Sequence, residues 1–369
     1  MILRSNTVFL LLLIFTTIAA QNPRTAKEKV DSLLVKTVYD GTSGYKGTGP
    51  GLSIAVMQEG KLIFSNGYGL AAPHTKRNLD INTNFNIGSL TKQFTAFSIL
   101  QLAENKKLSL DDHLSKFFPG LNEKVAEMIT IKELLTHSSG LIDHYELTDT
   151  KNLKHAHIRD VLNAIENTDS TYFVPGSQFR YSNTGYCLLS LIIEKVSGMS
   201  FAQYLKKNIF MPLGMNKTTV WNEKEKIEHK ASGYEFDSVT NEFKKSDAEE
   251  NIFFSTEGDG GIYTSVNDYL KWFAALQSGK IFPKEMIQLA RSPQFPIDKE
   301  NRLSYGYGWF IDESSAPVQV YHSGSNGGFR AYSFSIPEEN FLIVMFSNRD
   351  DIDLEKLIKK IYTIIFPRH

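Results

Sequence analysis

The pattern that most constrains this chain is a hydrophobic period that changes twice along it. Residues 52–57 and 62–68 read as two strands, with Glu59-Gly60 as the turn of a hairpin. Strand signals return after about residue 229, and 319–322, 329–336 and 341–347 read as consecutive strands, with Pro337-Glu338-Glu339-Asn340 as a tight turn. Between these ends, residues 106 to about 225 read as helices broken at Pro119-Gly120, Ser139-Gly140, Pro175-Gly176, Ser197-Gly198 and Pro212-Leu213-Gly214. Strands at both ends with a helical block between them predict an α+β fold. It is an antiparallel sheet flanked by helices, with an all-helical insertion lobe. The sheet-bearing lobe takes residues 21–105 and 226–369, the helical lobe takes 106–225, and together they form one catalytic unit. A cleft between two such lobes is a common ligand site.

Three helices are predicted around the sheet. Residues 24–38 place Val30, Leu33, Leu34 and Val38 on one side. Ser89 to about Ala103 carries Phe94, Phe97, Ile99, Leu100 and Leu102, which suit a largely buried helix. An amphipathic helix at 353–365 is expected to dock on the sheet.

Composition excludes several functions. Forty basic against forty-one acidic residues leave a net charge of -1, with no field to attract nucleic acid or an anionic membrane. Arg4, the apolar run 8–14 and the small residues Thr16, Thr17, Ala19 and Ala20 resemble a signal peptide cut after Ala20. The run is shorter than the ~20 residues a spanning helix needs. The expectation is a periplasmic or secreted protein with no stable membrane span after cleavage. The single cysteine, Cys187, lies in an apolar run and reads as a buried structural thiol. The chain has no His-Glu-x-x-His and no cysteine pair, so neither a metal nor a cofactor is expected. His155-Ala156-His157 reads as a solvated helix face. The chain has no Gly-x-Ser-x-Gly, which removes support for an α/β-hydrolase elbow.

Three short motifs carry chemistry. The first is Ser89-Leu90-Thr91-Lys92. A serine hydroxyl needs a base to take its proton, and three residues apart on a helix a lysine shares its face. The base must be held neutral by its surroundings, since a free lysine side chain is protonated at neutral pH. A serine on the first turn also faces the positive end of the helix, which favours a developing oxyanion. The same spacing recurs at Ser43-Gly44-Tyr45-Lys46, but Gly47, Gly49, Pro50 and Gly51 follow and forbid a stable helix. The second motif is Tyr181-Ser182-Asn183, in which a phenol can shuttle protons and an amide can both donate to and accept from a substrate. Read alone, Ser182 or Asn183 is simply a helix cap. The third is His322-Ser323-Gly324 at the end of a predicted strand, where a glycine lets substrate lie against the strand edge and the Ser325 N–H can serve an oxyanion hole. Read alone, it is a glycine-rich turn.

Taken together, Ser89-x-x-Lys92, Tyr181-x-Asn183 and His322-x-Gly324 resemble, in order and rough spacing, the three motifs of serine β-lactamases and penicillin-binding proteins. The likeness is greatest to the branch of class C β-lactamases, D-alanyl-D-alanine carboxypeptidases, related esterases and D-aminopeptidases. Residues 134–141, Pro212-Leu213-Gly214-Met215 and Gly258-Asp259-Gly260-Gly261 also resemble that branch. The resemblance implies an acyl-enzyme on Ser89, with Lys92 as base, Tyr181 as proton relay, Ser89 and Ser325 N–H groups on the oxyanion, and Asn183 and His322 (with Ser323 and Gly324) orienting substrate. It implies a small-molecule or short peptide substrate, first an amide or peptide ending in a D-residue, then an ester. A receptor that is acylated without turnover is a further alternative. The chain departs from the family in two places. His322 stands where β-lactamases carry a lysine, and a mostly neutral imidazole cannot replace a fixed cation, which argues against strong β-lactamase activity. Arg159 stands where class A enzymes carry a glutamate, so deacylation is expected to run through Tyr181 and Lys92. Asp259 is read as a turn residue at least as readily as a substrate contact.

Overall fold

The computed structural model describes residues 25–40, 48–73, 76–149, 155–246 and 251–367. The expected signal segment and the Ser43-Gly44-Tyr45-Lys46 loop lie outside the described residues.

An eight-stranded antiparallel sheet draws its strands from both ends of the chain. They are β1 (Leu52–Gln58), β2 (Lys61–Tyr68), β3 (Phe295–Asp298), β4 (Leu303–Tyr305), β5 (Phe310–Asp312), β6 (Gln319–Asn326), β7 (Phe329–Ile336) and β8 (Phe341–Ser347). Their order across the sheet is β3-β4-β5-β6-β7-β8-β1-β2. The C-terminal strand β8 therefore closes onto the N-terminal β1, with Leu52 opposite Ser347 and Met57 opposite Leu342. All seven residues of β8 are buried because both faces of the sheet are covered. Phe341, Ile343 and Met345 face one core, and Leu342, Val344 and Phe346 face the other.

The first core lies under α1 (Ala26–Tyr39) and the C-terminal α5 (Leu354–Ile365). Thr25 caps α1 in a capping box with Glu28, and Val30, Leu34 and Val38 repeat on its buried face. Leu354, Leu357, Ile358 and Ile361 give α5 its sheet-facing stripe. The opposite face is covered by α4 (Val266–Ser278) and by α2 (Thr91–Glu104), which is buried nearly all round. Phe94 and Phe97 of α2 pack against Trp272 of α4, with ring centroids 4.5 and 5.1 Å apart. Between α2 and residue 215 the described residues form helices and no strand, the longest being α3 (Asn183–Ser197). Cys187 is a fully buried residue of α3, and burial pushes its thiol up out of the reactive range.

Two differences from the sequence reading matter for the site. The helix that carries Ser89 opens with a 3-10 turn, Gly88–Leu90, before α2 begins at Thr91. The strand expected to end at His322 continues to Asn326, so the third motif lies inside β6. It can, because Ser323, Gly324 and Ser325 pair with Tyr332, Ala331 and Arg330 of β7. Also, His155 leans on Trp221 with ring centroids 6.0 Å apart, so that segment is not wholly a solvated face.

Among the described residues no single helix is long and apolar enough to cross a membrane.

Candidate active site

Backbone contact, made possible by two glycines, brings the first and third motifs together. Gly88 has φ +49°, and a Cβ there would lie 2.7 Å from the Ser325 nitrogen. A Cβ at Gly324 would lie 2.0 Å from the Ile87 carbonyl oxygen and 3.2 Å from the Ser89 nitrogen. The strand therefore runs directly beside the turn that presents Ser89. On its outer edge β5 pairs only with Gln319, Val320 and Tyr321, so beyond these residues β6 presents an edge to the Ser89 turn. Ser323 and Ser325 are exposed there, while His322 and Gly324 alternate to the buried side.

Lys92 is completely buried and makes three hydrogen bonds. Its Nζ lies 3.1 Å from Ser89 Oγ, 2.8 Å from Asn183 Oδ1 and 2.9 Å from the Asp259 carbonyl oxygen. Two of these partners are carbonyl oxygens and can only accept. A neutral amine donates to both and keeps its lone pair for the Ser89 hydroxyl, the arrangement a base requires.

Asn183 and Tyr181 sit at the start of α3. Ser182 is the helix cap, accepting from Gly185 N at 3.1 Å, which leaves Asn183 free for the site. Asn183 Nδ2 donates to Tyr145 Oη at 3.2 Å, fixing which end of the amide faces Lys92. The Tyr181 ring centroid is 4.9 Å from Lys92 Nζ. Its hydroxyl is buried without a hydrogen-bond partner among the described residues.

His322 corrects an expectation. The sequence reading has its imidazole orienting substrate, but the residue is 1% exposed and both ring nitrogens are engaged. Nδ1 lies 2.6 Å from the Ser323 carbonyl oxygen, which can only accept, so Nδ1 carries the proton. Nε2 then accepts from Tyr305 Oη at 3.0 Å. Burial and the neighbouring Lys92 push its pKa down to about 3. It is a neutral part of the wall, 6.1 Å from the Tyr181 ring centroid to centroid.

Three further contributors carry weak sequence signals or none. His137, within the 134–141 segment, packs against Tyr181 with ring centroids 4.2 Å apart and edge-on against Tyr305 at 4.6 Å. Its Nδ1 accepts from Ser182 N at 3.0 Å, so its proton sits on Nε2. Burial and the nearby Lys92 and His322 hold it neutral, well below the usual histidine range. Asp259 supplies the carbonyl that anchors Lys92, through a loop held by the Thr95 hydroxyl, which donates to the Gly258 carbonyl at 2.7 Å. Tyr145, which supports Asn183, belongs to no motif and left no sequence signal. The cavity beside Ser89, of about 110 Å³, is lined by Tyr145, Asn183, Phe253, Asp259 and Ser325 among others.

Comparison with known proteins follows the same lines. A family model described as Beta-lactamase matches residues 28–361. Penicillin-binding protein 4* of Bacillus subtilis (strain 168) is 31% identical over 321 residues, covering 84% of this chain and 70% of that protein. Protein flp of Staphylococcus aureus (strain MW2) is 32% identical over 324 residues, covering 87% of this chain and 64% of that protein, so the chain spans just under two thirds of it. Among solved structures, the octameric penicillin-binding protein homologue from Pyrococcus abyssi superimposes with a TM-score of 0.80 at 28% identity, covering 93% of this chain and 78% of that one.

Proposed function

The chain belongs to the Beta-lactamase family, and from that premise we propose that it is a serine hydrolase acting on amide or peptide bonds through an acyl-enzyme at Ser89. The observation that carries this reading is the environment of Lys92. Two carbonyl oxygens hold its amine, and Ser89 Oγ lies 3.1 Å away as the one partner able to give it a proton.

In this mechanism Lys92 takes the hydroxyl proton as Ser89 attacks the substrate carbonyl. The negative oxygen forms beside the N–H groups of Ser89 and Ser325, where the helix end and the strand edge meet. The 0.5-charge scale of a helix N-terminus adds to those donors. Tyr181 passes a proton to the leaving group, and Asn183 accepts from or donates to the substrate amide. Water then releases the acyl group, with Tyr181 or Lys92 as base. His322 and His137 act on Tyr181 by position, as neutral rings packed around it. We place the enzyme in the periplasm or outside the cell, on the strength of the signal-like apolar run near the N-terminus.

The test is Ser89→Ala against wild type, offered a nitrophenyl ester, a D-Ala-D-Ala peptide and nitrocefin, with intact-mass analysis. We expect an acyl adduct on Ser89 in the wild type, and neither adduct nor turnover in the variant. Most of the activity surviving in Ser89→Ala would refute the scheme.

A further inference from the structure

The charges around the cleft are few, and their placement bears on which substrates enter. Among the described residues lining the cavity beside Ser89 there is no Lys, Arg or His, and the one acidic residue is Asp259, whose carboxylate is buried and accepts from the Thr256 hydroxyl at 3.1 Å. Lys92 lies beneath the floor, and its hydrogen bonds to Ser89 Oγ, Asn183 Oδ1 and the Asp259 carbonyl match the three donors of an ammonium. Protonated, it has no donor left for an incoming anion. Neutral, as the base must be, it has no charge to offer. The cations adjacent in sequence to the second and third motifs are committed elsewhere. The Arg180 guanidinium stacks 3.8 Å above the Tyr172 ring and lies 3.8 Å from a Glu146 carboxylate oxygen. Arg330 holds the Gly327 and Phe329 carbonyls and lies 3.8 Å from Asp350. His322 is buried with both nitrogens occupied.

We propose that this cleft selects substrates whose leaving side is uncharged: a simple amide, an ester, or a peptide whose next residue has its carboxyl group blocked, in preference to a peptide ending in a free α-carboxylate. A carboxylate brought into this space leaves water with no cation to meet it, and stands near the Asp259 carboxylate. A neutral amide or ester meets hydrogen-bonding groups, among them Asn183, the Ser325 edge and Tyr145, beside the apolar Phe253. The inference rests on the acyl-enzyme reading above and narrows it. The chemistry balances without any co-reactant but water. Ser89 Oγ bonds to the acyl carbon as its C–N or C–O bond breaks, and the amine or alcohol leaves with the proton taken from Ser89. Water then adds to the acyl carbon, the acid departs, and Ser89 regains a proton.

The experiment compares N-acetyl-D-alanyl-D-alanine with N-acetyl-D-alanyl-D-alaninamide at pH 7, with N-acetyl-D-alanine methyl ester as a second neutral substrate. We expect kcat/KM at least tenfold higher for the neutral compounds. In Asp259→Asn, which keeps the backbone carbonyl that anchors Lys92, the acid should gain severalfold relative to its amide. The free acid matching or exceeding the amide in the wild type overturns the inference and leaves the acyl-enzyme reading intact. Failure of all three compounds to acylate Ser89, judged by mass, overturns that reading and this inference with it.

Discussion

The two sides of Ser89 are built by different physics. On one side Lys92 is held by three hydrogen bonds that complete its valence, and the acceptors come from α3 and from the Asp259 loop. On the other side Tyr181 sits in an aromatic block with His137, Tyr305 and His322, in which the other three rings are also tied by hydrogen bonds but Tyr181 is held by ring packing. In that block the Tyr181 hydroxyl and His137 Nε2 are buried without hydrogen-bond partners among the described residues. A buried polar group left unpaired typically costs about 1–3 kcal/mol. The comparison teaches that the base is finished before substrate arrives, whereas the proton relay is held in place by ring contact and bears a hydroxyl that no described residue satisfies.

The largest expected effect comes from the finished side. Lys92→Met removes the base and strips Asn183 and Asp259 of a shared donor, and kcat/KM should fall by about 10⁴-fold, the upper end of what a general base supplies. A loss below about tenfold, in steady-state assays on a neutral ester, would mean that some other group takes the serine proton.

Next comes the relay. Tyr181→Phe should lower kcat by about 10²–10⁴, while the melting temperature holds or rises, because the hydroxyl it removes is unpaired. Activity and stability moving in opposite directions is the signature of the contrast. If the variant instead melts several degrees lower, the hydroxyl has a stabilising partner and the two sides are built alike.

The smallest effect is on stability against pH. His322, packed against Tyr305, Phe310 and Tyr181 with Lys92 nearby, is pushed down to about 3 in the folded protein by burial and by Lys92, below the ordinary ~6.5 of an unfolded chain. Above about 6.5 both states are neutral and stability is full. As pH falls from there toward 3, only the unfolded state takes the proton, so stability declines by up to about 1.4 kcal/mol per pH unit for this group. His137 is shifted in the same direction and steepens the decline. His322→Gln should flatten the dependence of the melting temperature on pH between 6.5 and 4. Equal slopes in the two proteins would show that the imidazole titrates normally.

Much of this was legible in the sequence because it is local. The buried stripe of α1 with Val30, Leu34 and Val38 and the strand at 329–336 each involve residues a few positions apart, and each stands where the pattern put it. The Ser89–Lys92 spacing survives the 3-10 turn, because three residues still bring the two side chains within 3.1 Å. The end of β6 was misread because Ser323, Gly324 and Ser325 resemble a turn until a partner strand pairs with them. Tyr145 was invisible because its contribution depends on lying opposite Asn183, 38 positions away.

The sequence alone determined where the N-terminal helix, the first hairpin and the last strands lie, and that a serine and a lysine come together three residues apart, since periodicity and short-range hydrogen bonds are written within a turn or two. Only the tertiary structure decided that His322 is a neutral wall residue, that Lys92 meets a carbonyl 167 positions away, and that among the described residues the cleft lining carries no cation. Burial and the identity of a buried group's partners depend on which distant segments meet, and a side chain's charge follows from both.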